Sequence, residues 1–256
     1  MENKELVKQE NKNTNIGIFD FDINFTRRED GNIPYWKRGI GFLIGSIGLI
    51  VLEFILVFII YAFTRDQETL NAALTYAVYG TLLVIFVIYY WKNIKTLFKQ
   101  LLDFQVIIRG VIFGILVITI PTMYYVLVNP LFDVSVNANE QTLRTMIDSF
   151  PWLTLLFAGV FGPICEEFTY RVSLFGLLRK KKVLAYIISI IIFGLIHFNF
   201  ESFGNADQFI VEIINLPNYI IAGLILVYAY DKYGFGVAVI AHMLNNVVAI
   251  LFQIMG

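Results

Sequence analysis

Long apolar runs separated by short polar stretches dominate the sequence from residue 39 onward. An α-helix needs about 20 mostly apolar residues to cross the hydrocarbon core of a bilayer. Seven runs have a length and composition that suit such helices, some of them short: 39–63, 73–91, 110–128, 151–178, 183–198, 219–230 and 234–255. The pattern therefore predicts an all-α polytopic membrane protein with about seven transmembrane helices.

One further apolar segment, 209–216, is too short to cross. It fits a re-entrant segment, an interfacial segment, or the first part of the 219–230 helix with a bend at Pro217. An eighth crossing therefore stays open.

Composition supports a lipid environment. Hydrophobic residues make up 58% of the 256 residues, and charged residues make up 15%, against about 25% in ordinary soluble domains. The net charge of −1 gives no basis for nucleic-acid binding, and a single cysteine excludes an internal disulfide framework. Residues 1–35 are polar and lack the apolar core of a signal peptide, so we expect a cytoplasmic tail.

Basic residues are distributed unevenly between the two sides of these runs. If the N-terminus is inside, sixteen of the 19 Lys and Arg residues fall on the inner side, while Arg65 and Arg144 fall outside and Arg171 lies within a run. This asymmetry predicts a multi-pass protein of the cell membrane with a cytoplasmic N-terminus and, for seven crossings, an external C-terminus. An eighth crossing after Lys182 would reverse the C-terminal part.

The fourth run contains the segment GPICEEFTYR, residues 162–171. Glu167 and Arg171 are four residues apart, so they share a helix face and are predicted to pair. Glu166 is rotated by about 100° from Glu167 and needs another partner. Gly162 and Pro163 weaken the backbone hydrogen bonding before this pair, which can admit water or a neighbouring helix.

The two histidines of the chain also lie in apolar runs. His197 ends the fifth run, and His242 lies in the last run with Asn246 one helical turn later. A single buried histidine is usually a hydrogen-bonded packing residue. Here both histidines fall in the half of the chain that holds the Glu-Glu pair, so we expect these helices to enclose an intramembrane polar cavity.

Two other residues have structural explanations. Glu53, near the middle of the first run, is expected to be a neutral carboxyl group that is hydrogen-bonded to another helix. Cys165 is expected to be a small packing residue.

The predicted cavity suits hydrolysis of an amide. A glutamate with an imidazole can hold and deprotonate a water molecule, and an imidazole with an amide can stabilise an oxyanion. The motifs of serine hydrolases and the H-E-x-x-H zinc helix are absent. A zinc site formed by Glu166, His197, His242 and water remains an alternative.

Three motifs in order, E-E-x-x-x-R, F-x-x-x-H and H-x-x-x-N, resemble those of the CPBP family, which comprises CAAX prenyl proteases and bacteriocin-processing (Abi) enzymes. They correspond to Glu166, Glu167, Arg171, Phe193, His197, His242 and Asn246. The resemblance covers about residues 150–250. It implies a catalytic core at 151–256, preceded by further transmembrane helices at 36–150.

The resemblance also implies an intramembrane glutamate protease without a metal or other cofactor. Glu166 and His197 would activate water, and His242 and Asn246 would form the oxyanion hole. The remaining motif residues would support the site: Glu167, Arg171 and Phe193.

Family substrates divide between prenylated CAAX proteins in eukaryotes and peptides linked to maturation or bacteriocin self-immunity in bacteria. A composition rich in Ile, Lys and Asn favours a bacterial origin and hence a peptide or membrane-protein substrate without a prenyl group. A non-catalytic immunity or scaffold protein stays open. So does a transporter, although no inverted repeat is visible. The oligomeric state cannot be inferred.

Overall fold

Every regular element in the part of the chain that the structure describes is helical. The computed structural model describes residue 30, residues 32–132 and residues 136–255. The predicted all-α fold is therefore confirmed. The predicted cytoplasmic tail lies mostly outside the described residues, and its location stays a prediction.

The described residues form nine helices, with a 3₁₀ turn after the third (Gln100–Leu102) and another after the seventh (Phe200–Gly204). The helices are α1 Tyr35–Tyr61, α2 Gln67–Tyr89, α3 Trp91–Lys99, α4 Phe104–Phe132, α5 Ala138–Ser149, α6 at residues 151–178, α7 Lys182–Leu195, α8 Ala206–Tyr233 and α9 Phe235–Met255. Two stretches of α6, Phe157–Phe161 and Glu167–Phe175, are π-helical.

Five of the described helices are long and apolar enough to cross a bilayer: α1, α2, α4, α8 and α9. The π-helical stretches interrupt α6, and α7 has only 14 residues, which span about 21 Å at the α-helical rise. The prediction of seven or eight crossings therefore stays a prediction. Segment 209–216 is the first part of α8, which continues through Pro217, so the re-entrant and interfacial alternatives are wrong.

Two short helices fall where the hydrophobic pattern predicts only polar connections. α3 is amphipathic and carries three lysines, and α5 begins at Asn137, whose side chain accepts a hydrogen bond from the Glu140 backbone N–H. Met146 of α5 packs against Ala72 and Tyr76 of α2. This contact places α5 against the first half of α2.

Glycines bring α1 into close contact with α6. Gly41 and Gly45 are four residues apart and face the second π-helical stretch. A β-carbon at Gly45 would overlap the Thr169 side chain, and one at Gly41 would overlap the Tyr90 and Ser173 hydroxyl groups. Small residues at this spacing are typical of tightly packed membrane helices. Gly110 and Gly114 likewise allow close packing of α4 against α9.

Aromatic packing fixes the orientation of α6. Phe168, which directly follows the two glutamates, is fully buried. Its ring centroid lies 5.3 Å from that of Phe86, 5.5 Å from that of Tyr90 and 4.9 Å from that of Phe235. Because these rings belong to α2 and α9, the packing fixes which side of α6 the neighbouring carboxylates face.

A buried ion pair joins the start of α1 to α6 and α8. Arg38 Nη2 lies 3.0 Å from Asp30 Oδ2, and both side chains are 1% exposed. Arg38 Nη1 also donates to the Val172 carbonyl in the π-helical stretch, and Tyr230 Oη donates to Asp30 Oδ2. The network lies at the end of the bundle away from α5.

Candidate active site

Glu166 and Glu167 lie at the junction where α6 changes from α-helical to π-helical. The segment Gly162–Glu166 is α-helical, and the π-helical stretch begins at Glu167. Tyr79 Oη of α2 donates a hydrogen bond of 3.2 Å to Glu166 Oε1. Glu166 Oε2 is buried and has no hydrogen-bond partner in the described structure. As expected from its rotation about the helix, Glu166 has a partner that Glu167 does not share.

Glu167 and Arg171 form the pair that their spacing predicts. Arg171 Nη1 lies 3.2 Å from Glu167 Oε1, and both side chains are fully buried. The guanidinium group also lies over the Phe193 ring, 4.3 Å from its centroid. The charge of Arg171 is thus balanced by a carboxylate and by the π face of an aromatic ring.

His242 of α9 lies between the two carboxylates. Its Nδ1 is 2.9 Å from Glu167 Oε1, and its Nε2 is 3.7 Å from Glu166 Oε2. A carboxylate partner favours the proton on Nδ1 and leaves Nε2 directed toward Glu166. An unprotonated Nε2 accepts a proton from water, whereas a protonated Nε2 donates to an oxyanion. This contact with Glu167 was not predicted from the sequence.

Asn246 lies one turn after His242 and joins α9 to α6. Its Nδ2 donates to the Ala158 carbonyl at 3.1 Å, and its Oδ1 accepts from Asn245 Nδ2 at 3.0 Å. An amide nitrogen carries two N–H groups, so a second N–H remains for a ligand. This geometry is compatible with the predicted role as an oxyanion donor.

His197 lies in the turn that follows α7. Its ring stacks on Tyr219 with a centroid distance of 4.5 Å, and the edge of Phe193 is 5.2 Å away. The Tyr219 hydroxyl group accepts hydrogen bonds from the side chains of Asn137 and Asn139 near the start of α5. α5 therefore helps to fix the position of His197 through Tyr219.

Glu212 of α8 joins α5 to the turn that carries His197. Its Oε1 accepts from the Ala138 backbone N–H at 3.0 Å, and its Oε2 accepts from the Asn199 N–H at 3.2 Å. An acid inside segment 209–216 was a visible sequence signal that the prediction did not use. Tyr79 and Tyr219 gave no such signal, because tyrosine is common throughout this chain.

Two adjoining cavities bring the predicted residues together. The larger, of about 390 Å³, is lined by Phe193, His197, His242 and Asn246 among others. The smaller, of about 260 Å³, is lined by residues of α1, α2, α5 and α6, including Glu166, and by His197 and Asn246. No direct hydrogen bond joins Glu166 to His197 in the described structure, but both border a space large enough for several water molecules. All four predicted catalytic residues thus line connected space, and its location within a bilayer stays a prediction.

Cys165 and Glu53, for which the sequence predicted structural roles, differ in their surroundings. Cys165 is buried, and its Sγ contacts the Tyr79 carbonyl at 3.7 Å, which agrees with a packing role. Glu53 is exposed on α1 and has no hydrogen-bond partner among the described residues. The expectation that another helix binds its carboxyl group is wrong, because this side chain borders the smaller cavity instead.

The described residues contain no group of three or more His, Cys, Asp and Glu side chains arranged to hold a metal ion. Glu166, His197 and His242 line cavities together, but they do not form a zinc ligand set in the described structure. Metal independence of a reaction here stays a prediction.

Residues 148–248 match the family model described as type II CAAX prenyl endopeptidase Rce1-like. The match spans 101 of the 256 residues, and this region is similar to an Rce1-like domain. It contains all three sequence motifs, so the resemblance to CAAX proteases is confirmed. The matched family is one of endopeptidases, and five of the described helices are long and apolar enough to cross a membrane. No curated protein and no solved structure matches the chain.

Proposed function

We propose that this protein is a metal-independent intramembrane glutamate endopeptidase that cleaves a peptide or a membrane-associated protein. The observation that carries the proposal is the convergence of Glu166, His197, His242 and Asn246 on adjoining cavities. Within this set, Glu166 Oε2 is a buried oxygen without a protein hydrogen bond, as expected of an atom that binds the attacking water.

In the proposed reaction, a water molecule binds between Glu166 and His197. Glu166 takes a proton from the water as its oxygen attacks the scissile carbonyl carbon, and the carbonyl oxygen becomes an oxyanion. In its imidazolium form, with Nδ1–H bound to Glu167, His242 donates an Nε2–H hydrogen bond to that oxyanion, and the second Asn246 N–H donates another. The proton held by Glu166 then passes to the leaving amine, so the C–N bond breaks and the carboxylate is regenerated.

The fixed contacts of the site support this division of roles. Glu167 is fully buried and engaged by Arg171 and His242, so it orients α9 against α6. Glu166 has a single protein hydrogen bond, from Tyr79. Glu166 Oε2 and Glu167 Oε2 both lack a hydrogen bond, but Glu166 borders the smaller cavity, whereas Glu167 lines neither of the two cavities. Glu166 is therefore the carboxylate that water in the cavity can reach.

The substrate that we propose is a bacterial peptide without a prenyl group, in peptide maturation or in self-immunity to bacteriocins. This rests on the Ile-, Lys- and Asn-rich composition of the chain and on the family's known division of substrates.

The test uses purified full-length protein in lipid nanodiscs with a panel of membrane-associated peptides. We expect the wild type to cleave at least one peptide in the presence of a strong zinc chelator. Glu166→Ala should abolish cleavage, while Cys165→Ala, a neighbouring buried change outside the site, should retain it. Cleavage that is lost on chelation and restored by zinc would favour a metalloprotease. Immunity that persists in cells expressing Glu166→Ala, without any cleavage by the wild type, would favour a non-catalytic partner.

A further inference from the structure

Glu53 is the acidic side chain of α1, which contains the most apolar stretch among the five described helices that are long enough to cross a membrane. α1 contains three charged residues. Lys37 and Arg38 lie in its first turn, and Glu53 lies eight residues before its last residue, Tyr61. Glu53 therefore lies about 12 Å from the end of α1 along the helix axis. It has no hydrogen-bond partner within the described ranges. A carboxylate at such a depth is costly unless a partner balances it.

The smaller cavity, which Glu53 borders, has acidic side chains and no Lys or Arg on its described lining. The acids are Glu53 and Glu166, and the basic side chain is His197, whose ring stacks on Tyr219. The larger cavity differs, because Glu140 on its lining is paired with Arg144 at 2.5 Å. With both carboxyl groups ionised, the electrostatic field in the smaller cavity favours a cation, which no Lys or Arg of the described lining supplies.

Hydroxyl groups on the same lining also favour a hydrogen-bond donor. Thr75 Oγ1 donates its proton to the Asn71 carbonyl at 3.0 Å, and Thr142 Oγ1 donates to the Ala138 carbonyl at 2.9 Å. Since each hydroxyl group has one proton, the lone pairs of both oxygens are left to accept from a ligand. An ammonium or guanidinium group brings several N–H donors and a positive charge.

We propose that Glu53 is a recognition subsite for a positively charged group of the peptide substrate, a Lys or Arg side chain or a free α-amino group. The cation binds in the cavity that also contains the Glu166 carboxylate, so it belongs to a residue close to the scissile bond. This inference rests on the proposed protease function and adds a substrate class to it: a membrane-associated peptide with a basic residue near the cleavage site.

The binding test uses Glu166→Gln protein in nanodiscs, which does not consume the peptide. One lysine is moved position by position through an otherwise neutral labelled peptide, and each peptide has a matched glutamine version. We expect one position at which the lysine peptide binds about tenfold tighter or more, as one charge-assisted hydrogen bond provides. Glu166→Gln/Glu53→Gln should lose this preference, and Glu166→Gln/Glu53→Lys should prefer a glutamate at that position.

A reversal of the charge preference by Glu53→Lys requires a folded cavity, so this result would show that the variant protein is folded. Nanodiscs made with and without amine-bearing lipid identify the source of the cation. A preference that disappears only when amine lipid is present would mean that the lipid headgroup occupies the subsite, and would overturn the assignment to substrate. Equal binding of lysine and glutamine peptides at every position would overturn it directly.

Cleavage by the Glu53 variants separates the two proposals. If the wild type cleaves but Glu53→Gln leaves the selectivity between lysine and glutamine peptides unchanged, the proposed role of Glu53 in substrate recognition is wrong. The proposed protease function is then unaffected. If the charge preference in binding is present but the wild type cleaves no peptide, the proposed protease function is wrong. The proposal that Glu53 binds a cation is then unaffected.

Discussion

At the scale of single residues, the two adjacent glutamates differ in what holds them. Glu167 is fully buried, with Arg171 on one side and His242 Nδ1 on the other. Glu166 accepts from Tyr79 on Oε1, and its Oε2 has no hydrogen bond but lies 3.7 Å from His242 Nε2. Glu166 also borders the smaller cavity, whereas Glu167 lines neither cavity. The two adjacent carboxylates thus differ in their access to the cavity, and a single imidazole lies between them.

Tyr79 is expected to orient Glu166 without contacting the substrate. Tyr79→Phe removes a hydrogen bond to a charged group, worth about 1.5–3 kcal/mol, and should lower turnover by about tenfold or more with little change in KM. The matched control is Tyr76→Phe, one turn earlier, where the lost hydrogen bond is to Thr154. Steady-state kinetics of both variants provide the check. Equal losses of turnover in the two variants would show that Tyr79 does not orient Glu166 for catalysis.

Asn246 is expected to contribute to turnover more than to binding. Loss of one oxyanion donor costs about 10²–10³ in turnover, so Asn246→Ala should show that loss with nearly normal substrate binding. His242→Ala should cost at least as much, and the double variant should be less than additive, because both donors act on one oxygen. Asn245→Ala, which removes only a donor to Asn246 Oδ1, is the milder control. Turnover of Asn246→Ala within about threefold of wild type would exclude the role.

At the scale of elements, the two π-helical stretches of α6 determine the shape of the site. π-helical turns are rare and often occur at functional sites. Their carbonyl groups are bound by residues of other helices: Ala158 by Asn246, Val172 by Arg38 and Tyr170 by Ser189. α6 is thus held in its irregular form by α1, α7 and α9.

The glycine contact of α1 with α6 should be sensitive to one methyl group. Gly45→Ala places a β-carbon against Thr169, and such overpacking typically costs about 1–3 kcal/mol. Gly48→Ala, where the nearest atom is 3.6 Å away, should leave the unfolding temperature in detergent unchanged or raise it. Gly45→Ala/Thr169→Ala should recover part of the loss. A Gly45→Ala protein as stable as Gly48→Ala would contradict the close contact.

The sequence predicts some of these features and not others, for physical reasons. Helical spacing alone predicts the Glu167–Arg171 pair and places His242 and Asn246 on one face. Hydrophobic runs predict the positions of the long helices, but α8 begins at Ala206, well before the predicted run 219–230. They also miss α3 and α5, which are short and polar. The π-helical stretches and the contact of His242 with Glu167 depend on packing between distant segments, which no local pattern contains.

At the scale of the whole molecule, residues outside the region that matches the Rce1-like model line the candidate site. Glu53 of α1, Tyr79 of α2 and Asn139 of α5 all precede residue 148, yet they border the smaller cavity. The buried pair of Arg38 and Asp30 fastens the start of α1 to α6 and α8. The first part of the chain is therefore part of the cavity wall.

Breaking this pair should destabilise the whole bundle. Arg38→Met removes one partner of a buried ion pair, which costs about 3–5 kcal/mol. Arg38→Met/Asp30→Asn should recover part of that loss, because the opposite charge of the pair is removed as well. Lys37→Met, at the less buried neighbouring position, is the control. Thermal unfolding in detergent measures all three, and an Arg38→Met protein as stable as the control would contradict the assignment.

The most direct test of Glu166 as the base is the single-turnover rate of peptide cleavage by Glu166→Gln protein in nanodiscs. Glutamine keeps the shape of the side chain and can still accept the Tyr79 hydrogen bond, but it cannot take a proton from water. We expect a rate at least about 10² below that of the wild type, with peptide binding and thermal unfolding nearly unchanged. A Glu166→Gln rate within about threefold of wild type would show that another group activates the water.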